Sequence, residues 1–303
     1  MSGDTKRNLK MTITTLTAGV ATLQSTIAQA LGILPQFDVN VEIERRKAFI
    51  KHMLKTSGLT TLVLGISGGV DSLTAGRLCQ LAVNELNKEH GMNLYEFVAV
   101  KLPYRVQRDA DMVEKSLAFI QPTQTVVVNI GDAVDAANNS LQDAYRTLIP
   151  SPDLDFNFEV DFAKGNIKAR TRMIMQYALA GMTSGLVVGT DHASEAVTGF
   201  FTKFGDGGFD FTPLGGLVKR EVRAIAQALG APAELYLKTP TADLEDGRPG
   251  IPDETALGVP YEDIDRYLKG EPVSDESAKT IETWYLRTQH KRDLPYSPVD
   301  WAG

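Results

Sequence analysis

The segment Ser67-Gly68-Gly69-Val70-Asp71-Ser72 brings together two glycines, two hydroxyls and a carboxylate at the start of an apolar-periodic stretch. Adjacent glycines let successive N–H groups turn inward as an anion nest. The hydroxyls add donors, and a helix start behind them adds partial positive charge. These are the parts of a phosphate cradle. No lysine follows the glycines, so the segment differs from the nucleoside-triphosphatase loop that ends in Gly-Lys-Ser/Thr. Asp71 alone would repel a phosphate. It makes sense if it holds Mg²⁺, which takes one or two carboxylates together with phosphate oxygens. Helix capping uses the same residue types, but capping does not need both glycines.

Two further segments carry candidate chemistry. Gly189-Thr190-Asp191-His192-Ala193-Ser194-Glu195 follows an apolar run. Glu195 there suits either the same metal or an acidic first helical turn, which the helix dipole favours. His192 has no partner at metal-ligand spacing and reads as a buried or site-wall histidine. Lys164 to Arg172 holds four basic residues in nine. Lys168 and Arg172 share one helix face (i, i+4), and Ile167, Met173 and Ile174 predict that the opposite face is buried. Arg170 is left for phosphate or carboxylate binding.

These segments must be positioned by something. Thr61–Ile66, Phe97–Val100, Thr125–Ile130 and Leu186–Gly189 are short apolar runs without polar alternation. That pattern marks strands buried on both faces, the parallel-sheet signature. Helical spacing predicts helices over 38–57, 71–87, 107–119, 166–182, 219–229 and 276–290. Strand–helix alternation with right-handed crossovers predicts an α/β fold: an open, mainly parallel, Rossmann-like sheet with helices on both faces. Ligands in such sheets bind outside the carboxyl ends of the strands. Asp71 and Glu195 are therefore expected on one edge. Residues 204–211 and 239–252 are Gly-, Pro- and Asp-rich loops with no apolar anchors, expected to be mobile and to close over ligands. Residues 1–20 read as a loose arm and 21–303 as one domain.

Bulk composition removes several classes. Thirty-one basic against 38 acidic residues give −7, so no global basic field draws nucleic acid. The single cysteine, Cys79, excludes an intrachain disulfide and any Cys-based zinc site, and fits a reducing cytoplasm. Its helical register with Leu78, Leu81 and Ala82 makes it a packing thiol rather than a reactive one. No run of about 18 apolar residues exists to span a membrane. Ala28-Gln29-Ala30 has the form of a secretory cleavage site, but Thr12, Thr14, Thr15, Thr17, Thr22 and Gln24 break the apolar run before it.

The phosphate-cradle segment resembles the signature of the N-type ATP pyrophosphatases, which cleave ATP to AMP and pyrophosphate. The wider set narrows the resemblance: 165–172, 189–195, Phe200-Phe201-Thr202-Lys203-Phe204-Gly205-Asp206-Gly207-Gly208, Thr239-Pro240-Thr241-Ala242-Asp243-Leu244 and His290-Lys291-Arg292. In this order, from about Leu23 onward, it is similar to the ammonia-dependent NAD⁺ synthetases. The resemblance implies an adenine nucleotide alpha hydrolase-like fold, a homodimer and a two-step reaction. A nicotinate carboxylate attacks the α-phosphate of ATP, pyrophosphate leaves, and ammonia then displaces AMP. It also implies that Gly65, Ile66, Ser67, Gly68, Gly69, Val70, Asp71, Ser72, Thr190, Lys219 and Thr241 bind ATP. Asp71 and Glu195 would hold Mg²⁺. Arg170, Lys203, Asp210, His290 and Lys291 would contact deamido-NAD⁺, with Asp206 and Asp243 near the ammonia chemistry.

Rivals fare less well. Thiolation would want catalytic cysteines, and GMP synthesis does not explain the 203–208 and 239–244 loops. A non-catalytic nucleotide sensor would need neither a metal pair nor long loops. No domain-sized segment remains for a glutamine amidotransferase, so ammonia itself is the expected nitrogen donor, with or without a separate glutaminase.

Overall fold

The computed structural model describes residues 22–106, 109–148, 158–242, 246–247, 251–293 and 295–300. The described residues open with α1 (Leu23–Ala30), which contains Ala28-Gln29-Ala30, and α2 (Val39–Ser57), capped by the Asp38 carboxylate on the N–H groups of Asn40 and Val41. Then come β1 (Thr61–Gly65), α3 (Val70–His90), β2 (Glu96–Lys101), α4 (Ala110–Ile120), β3 (Gln124–Val127), α5 (Gly131–Leu148), α6 (Phe158–Met182) and β4 (Gly185–Val187). The strands form a parallel sheet in the order β3-β2-β1-β4. The expected arm, residues 1–20, lies outside the described residues.

Strand alternation sorts the core into two layers. Leu62, Leu64, Phe97 and Ala99 point to one face and pack with Ile50 and Leu54 of α2 and with Leu73, Leu78, Cys79 and Leu86 of α3. Val63, Val98 and Val100 point to the other, against Val134 of α5 and Ala180 of α6. Leu62, Leu73 and Leu78 are fully buried, each worth about 2 kcal/mol of transfer free energy. Burial drives the Cys79 thiol far above its usual range, as a packing thiol requires.

The chain adds β2 and β3 on one side of β1, then returns to add β4 on the other. Strand order therefore reverses between β1 and β4, and the crevice at their carboxyl ends is where an open α/β sheet holds a ligand. Both acidic segments leave from these two strands.

The C-terminal third builds a helical wall beside that crevice: α7 (Ala193–Thr198), α8 (Lys219–Ala228), α9 (Ala233–Tyr236), α10 (Asp253–Leu257), α11 (Tyr261–Leu268), α12 (Asp275–Arg287) and α13 (Gln289–Arg292). Ile27, Val197, Val218, Ile264 and Ile281 close a separate core there. A two-residue pairing of β5 (Thr241–Ala242) with β6 (Ile251–Pro252) forms the base of the 239–252 loop.

Three expectations need correction. Helix α5 is an addition to the expected elements: Val134, Leu141 and Leu148 stand at helical spacing in it, and Gly131, Val134 and Asn138 are its buried residues. Helix α6 starts eight residues earlier than residue 166. Its buried side is also not the expected one, because Lys168 is 4% exposed while Ile174 is 55% exposed. Lys168 can go inward because Asp246 and the Tyr104 ring receive its charge.

Candidate active site

Strand β1 ends at Gly65, whose N–H donates to Gln176 Oε1 of α6 at 2.7 Å. The turn into α3 needs Gly68 at φ +81, and a Cβ there would meet Val113 at 3.3 Å. The hydroxyls brace the turn. Ser67 Oγ accepts from Gly69 N at 3.3 Å, and Ser72 Oγ accepts from Ser67 N at 3.3 Å and donates to the Gly69 carbonyl at 3.2 Å. Asp71 sits in the first turn of α3 and points across the crevice.

Strand β4 ends at Val187 and leads through Val188 to Gly189, where the Phe209 ring packs so close that a Cβ would lie 2.3 Å from it. Thr190 follows on the loop, and α7 then presents Glu195 in its first turn. From the far side Lys219, 1% exposed, enters at the first turn of α8. Its ammonium lies 2.7 Å from Asp71 Oδ2, 3.6 Å from Glu195 Oε1 and 3.2 Å from His192 Nε2. His192 Nε2 is 3.2 Å from Glu195 and 3.5 Å from Asp71. Asp71, His192 and Glu195 each offer a ligand atom within 4.8 Å of the others.

The charges in this cluster set one another. Burial disfavours ionised Glu195, but His192 and Lys219 outweigh it and hold its carboxyl down at about 2. Burial likewise opposes charge on Lys219, and Asp71 and Glu195 more than compensate. Asp191, enclosed beside Glu195, is pushed up to about 8 by burial and then by that neighbour. Asp253 rises to about 6, mainly through burial. One oxygen of Asp71, Oδ1, is buried without a hydrogen-bond partner. An unsatisfied carboxylate oxygen beside a second carboxylate is the donor set that a hard divalent cation wants.

The expected substrate residues fall into one connected group with one exception. Arg170 Nε donates to the Lys203 carbonyl, Lys203 Nζ donates to the His290 carbonyl, and Lys291 Nζ donates to the carbonyls of Gly199 and Phe201 at 2.7 Å each. Asp206 closes the Thr202 turn by accepting its N–H at 2.9 Å. Asp210 stands apart, accepting Val187 N at 2.7 Å and Tyr177 OH at 3.1 Å, so its carboxylate braces β4 against α6. The Thr241 backbone lies in β5. Asp243 lies outside the described residues.

His192, expected as a buried or site-wall histidine, is 1% exposed and joins the cluster. The sequence reading missed two other contributors. The ring of Tyr261 lies 5.1 Å from the Lys219 ammonium. Asp265 accepts from Ser194 Oγ at 2.6 Å, Lys219 N at 3.0 Å and Arg220 N at 2.7 Å, so it satisfies the start of α8 and aims Lys219. Asp265 left a signal: it sits at helical spacing among Tyr261, Ile264 and Leu268, an acid on an apolar face.

Residues 42–295 match the family model described as NAD synthase. The chain belongs to that family. It is 53% identical over 279 residues to the NH(3)-dependent NAD(+) synthetase of Enterobacter sp. (strain 638), covering 92% of this chain and 98% of the relative. The crystal structure of NAD⁺ synthetase from Burkholderia pseudomallei superposes with a TM-score of 0.76 at 47% identity, over 91% of this chain and 97% of that one. An NMN synthetase from Francisella tularensis superposes with a TM-score of 0.72 at 29% identity, over 87% of this chain and 99% of that one. The expected family, ligase class and fold stand, and the parallel sheet with helices on both faces is the architecture of these relatives.

Proposed function

We propose that this chain is an ammonia-dependent NAD⁺ synthetase that completes NAD⁺ biosynthesis. It joins deamido-NAD⁺ and ammonia at the expense of ATP, giving NAD⁺, AMP and pyrophosphate through a deamido-NAD adenylate. The observation that carries this is the convergence of Asp71, Glu195, His192 and Lys219 at the reversal of strand order, directly behind the Ser67–Ser72 turn. Backbone N–H groups of that turn and the start of α3 suit the ATP phosphates. Mg²⁺, held by Asp71 and Glu195, would neutralise phosphate charge when bound. Lys219 stands where a cation can stabilise the leaving pyrophosphate. Two polyanions must meet here, and Arg170, Lys203, His290 and Lys291 form the basic flank suited to the dinucleotide.

A homodimer and a cytoplasmic location belong to the same reading. Support for the dimer comes from apolar side chains left exposed on α5 and α6: Leu141, Leu148, Phe162, Ile174 and Met182, with Val127 on the neighbouring edge strand. No helix among the described residues is long and apolar enough to cross a membrane.

Incubation of the purified chain with ATP, Mg²⁺, ammonium and deamido-NAD⁺ should yield equal NAD⁺, AMP and pyrophosphate. Glutamine freed of ammonium should support almost no turnover. The likeness to an NMN synthetase makes nicotinate mononucleotide the informative competitor. A higher kcat/KM on the mononucleotide, or ADP as product, would overturn the reading. Sedimentation of the same preparation should give the mass of a dimer.

A further inference from the structure

Helix α11 holds Lys219 at two points, its backbone and its charge. Asp265 accepts the Lys219 backbone N–H at 3.0 Å. One turn earlier on the same helix face, the Tyr261 ring lies 5.1 Å from the Lys219 ammonium. A lysine side chain has several rotatable bonds, and a buried one stays aimed only where its surroundings hold it.

The ring is itself fixed. Tyr261 is buried in the core of the helical wall, its hydroxyl donates to Oδ2 of the buried Asp253 at 3.3 Å, and its N–H donates to Glu254 Oε1 at 2.9 Å. The His192 ring, whose Nε2 is 3.2 Å from the same ammonium, lies 6.4 Å away between centroids. An aromatic face attracts a cation through its quadrupole and takes none of its N–H groups. The ammonium therefore keeps those groups for Asp71 Oδ2 at 2.7 Å and for a phosphate oxygen. A carboxylate in the ring's place would add negative charge where a polyphosphate must bind. The ring attracts the ammonium without adding net charge.

We propose that Tyr261 is a positioning residue for the first step of the reaction: its ring seats the Lys219 ammonium where pyrophosphate departs, and Asp253 fixes the plane of the ring. The proposal rests on the synthetase reading above. In that step a carboxylate oxygen of deamido-NAD⁺ bonds to the α-phosphorus of ATP. The bond from that phosphorus to the bridging oxygen breaks, and pyrophosphate leaves with the electron pair. Negative charge grows on the departing oxygens, and an ammonium already in place meets it without reorganising. Tyr261 acts through Lys219 and contacts no reacting atom.

The test follows labelled pyrophosphate into ATP, with the full chain, Mg²⁺ and deamido-NAD⁺ but no ammonium, so that only the first step and its reversal are read. Tyr261→Phe keeps the ring and should stay within about threefold of wild type. Phenylalanines carrying one, two and three ring fluorines at position 261 keep the shape and progressively remove the negative ring face. The exchange rate should fall stepwise along them, by about tenfold over the series. The pyrophosphate concentration that half-saturates exchange should rise in step, while the melting temperature stays close to wild type. A tyrosine that only fills space would give a flat series, and a flat series overturns the proposal. Tyr261→Leu, with its fold checked by circular dichroism, should exchange no faster than the trifluorinated protein, and exchange at the wild-type rate overturns the proposal equally. Should Tyr261→Leu not fold, the fluorinated series decides alone. Absence of exchange from the wild type overturns the synthetase reading instead.

Discussion

Two carboxylates, an imidazole and an ammonium share a volume a few ångströms across, and Lys219 and His192 each lie within 3.6 Å of both carboxylates. Asp71 and Glu195 lie on opposite sides of the crevice, and Lys219 bridges them at 2.7 and 3.6 Å. Asp71→Asn and Glu195→Gln preserve shape and remove one negative charge each. We expect each to lower kcat by about 10²-fold or more, with thermal unfolding moved little, because Lys219 keeps one of its two carboxylate partners in either variant. Titration of activity against Mg²⁺ checks this: full activity of both variants at limiting Mg²⁺ would remove the metal from these two residues. Lys219→Met should behave differently. It leaves two carboxylates without their counter-charge, so we expect a loss of stability of about 3 kcal/mol alongside the loss of activity. A melting temperature equal to wild type would show that the lysine does not hold the cluster together.

Between elements, the clearest electrostatic joint ties α2 to α3. Lys47 and Lys51 hold Glu85 at 2.6 and 2.8 Å, and Lys51 and Lys55 hold Glu89 at 3.0 and 2.9 Å. Burial works against the Glu85 charge, yet its two lysines carry the carboxyl below the ordinary range. A lowered folded-state pKa gives stability that is present above the unfolded value, about 4.3, and fades as pH falls through the folded one. Glu85→Gln should therefore unfold at about 0.5–1 kcal/mol less than wild type at pH 7, the scale of a part-exposed pair. The two proteins should converge below about pH 4, and thermal melts across that range would show a constant gap if the joint contributed nothing. Elements are also where the legibility of the sequence divides. The unbroken apolar run Thr61–Ile66 announces a strand buried on both faces, and the strand is there. Gly131–Leu148 is half Ala, Asp and Asn, and although Val134, Leu141 and Leu148 recur at helical spacing, only Val134 of the three is buried. Lys168 misleads for the opposite reason, since a counter-charge 78 residues away lets it turn inward. The motifs around Asp71 and Glu195 are local and legible. Their meeting with Lys219 and Asp265 is a property of the fold, and no window of sequence contains it.

Across the whole molecule, the pairing of Asp71 with Lys219 spans 148 residues. The site is assembled from the first strand of the sheet, the last strand and the wall of helices that follows. A contact of such long sequence separation forms late, because the chain between must be ordered first. During synthesis at about 5–20 residues per second, Lys219 leaves the ribosome roughly 7–30 s after Asp71. For that interval Asp71 has no ammonium to meet, and until β4 follows at Gly185 the sheet has an open flank beside β1. Catalytic competence is thus the last property the chain acquires, and it works as a clock on completion. In a refolding experiment the far-ultraviolet signal of α2 and α3 should recover first and nucleotide turnover last. A released fragment ending before Lys219 should fold in part yet stay silent.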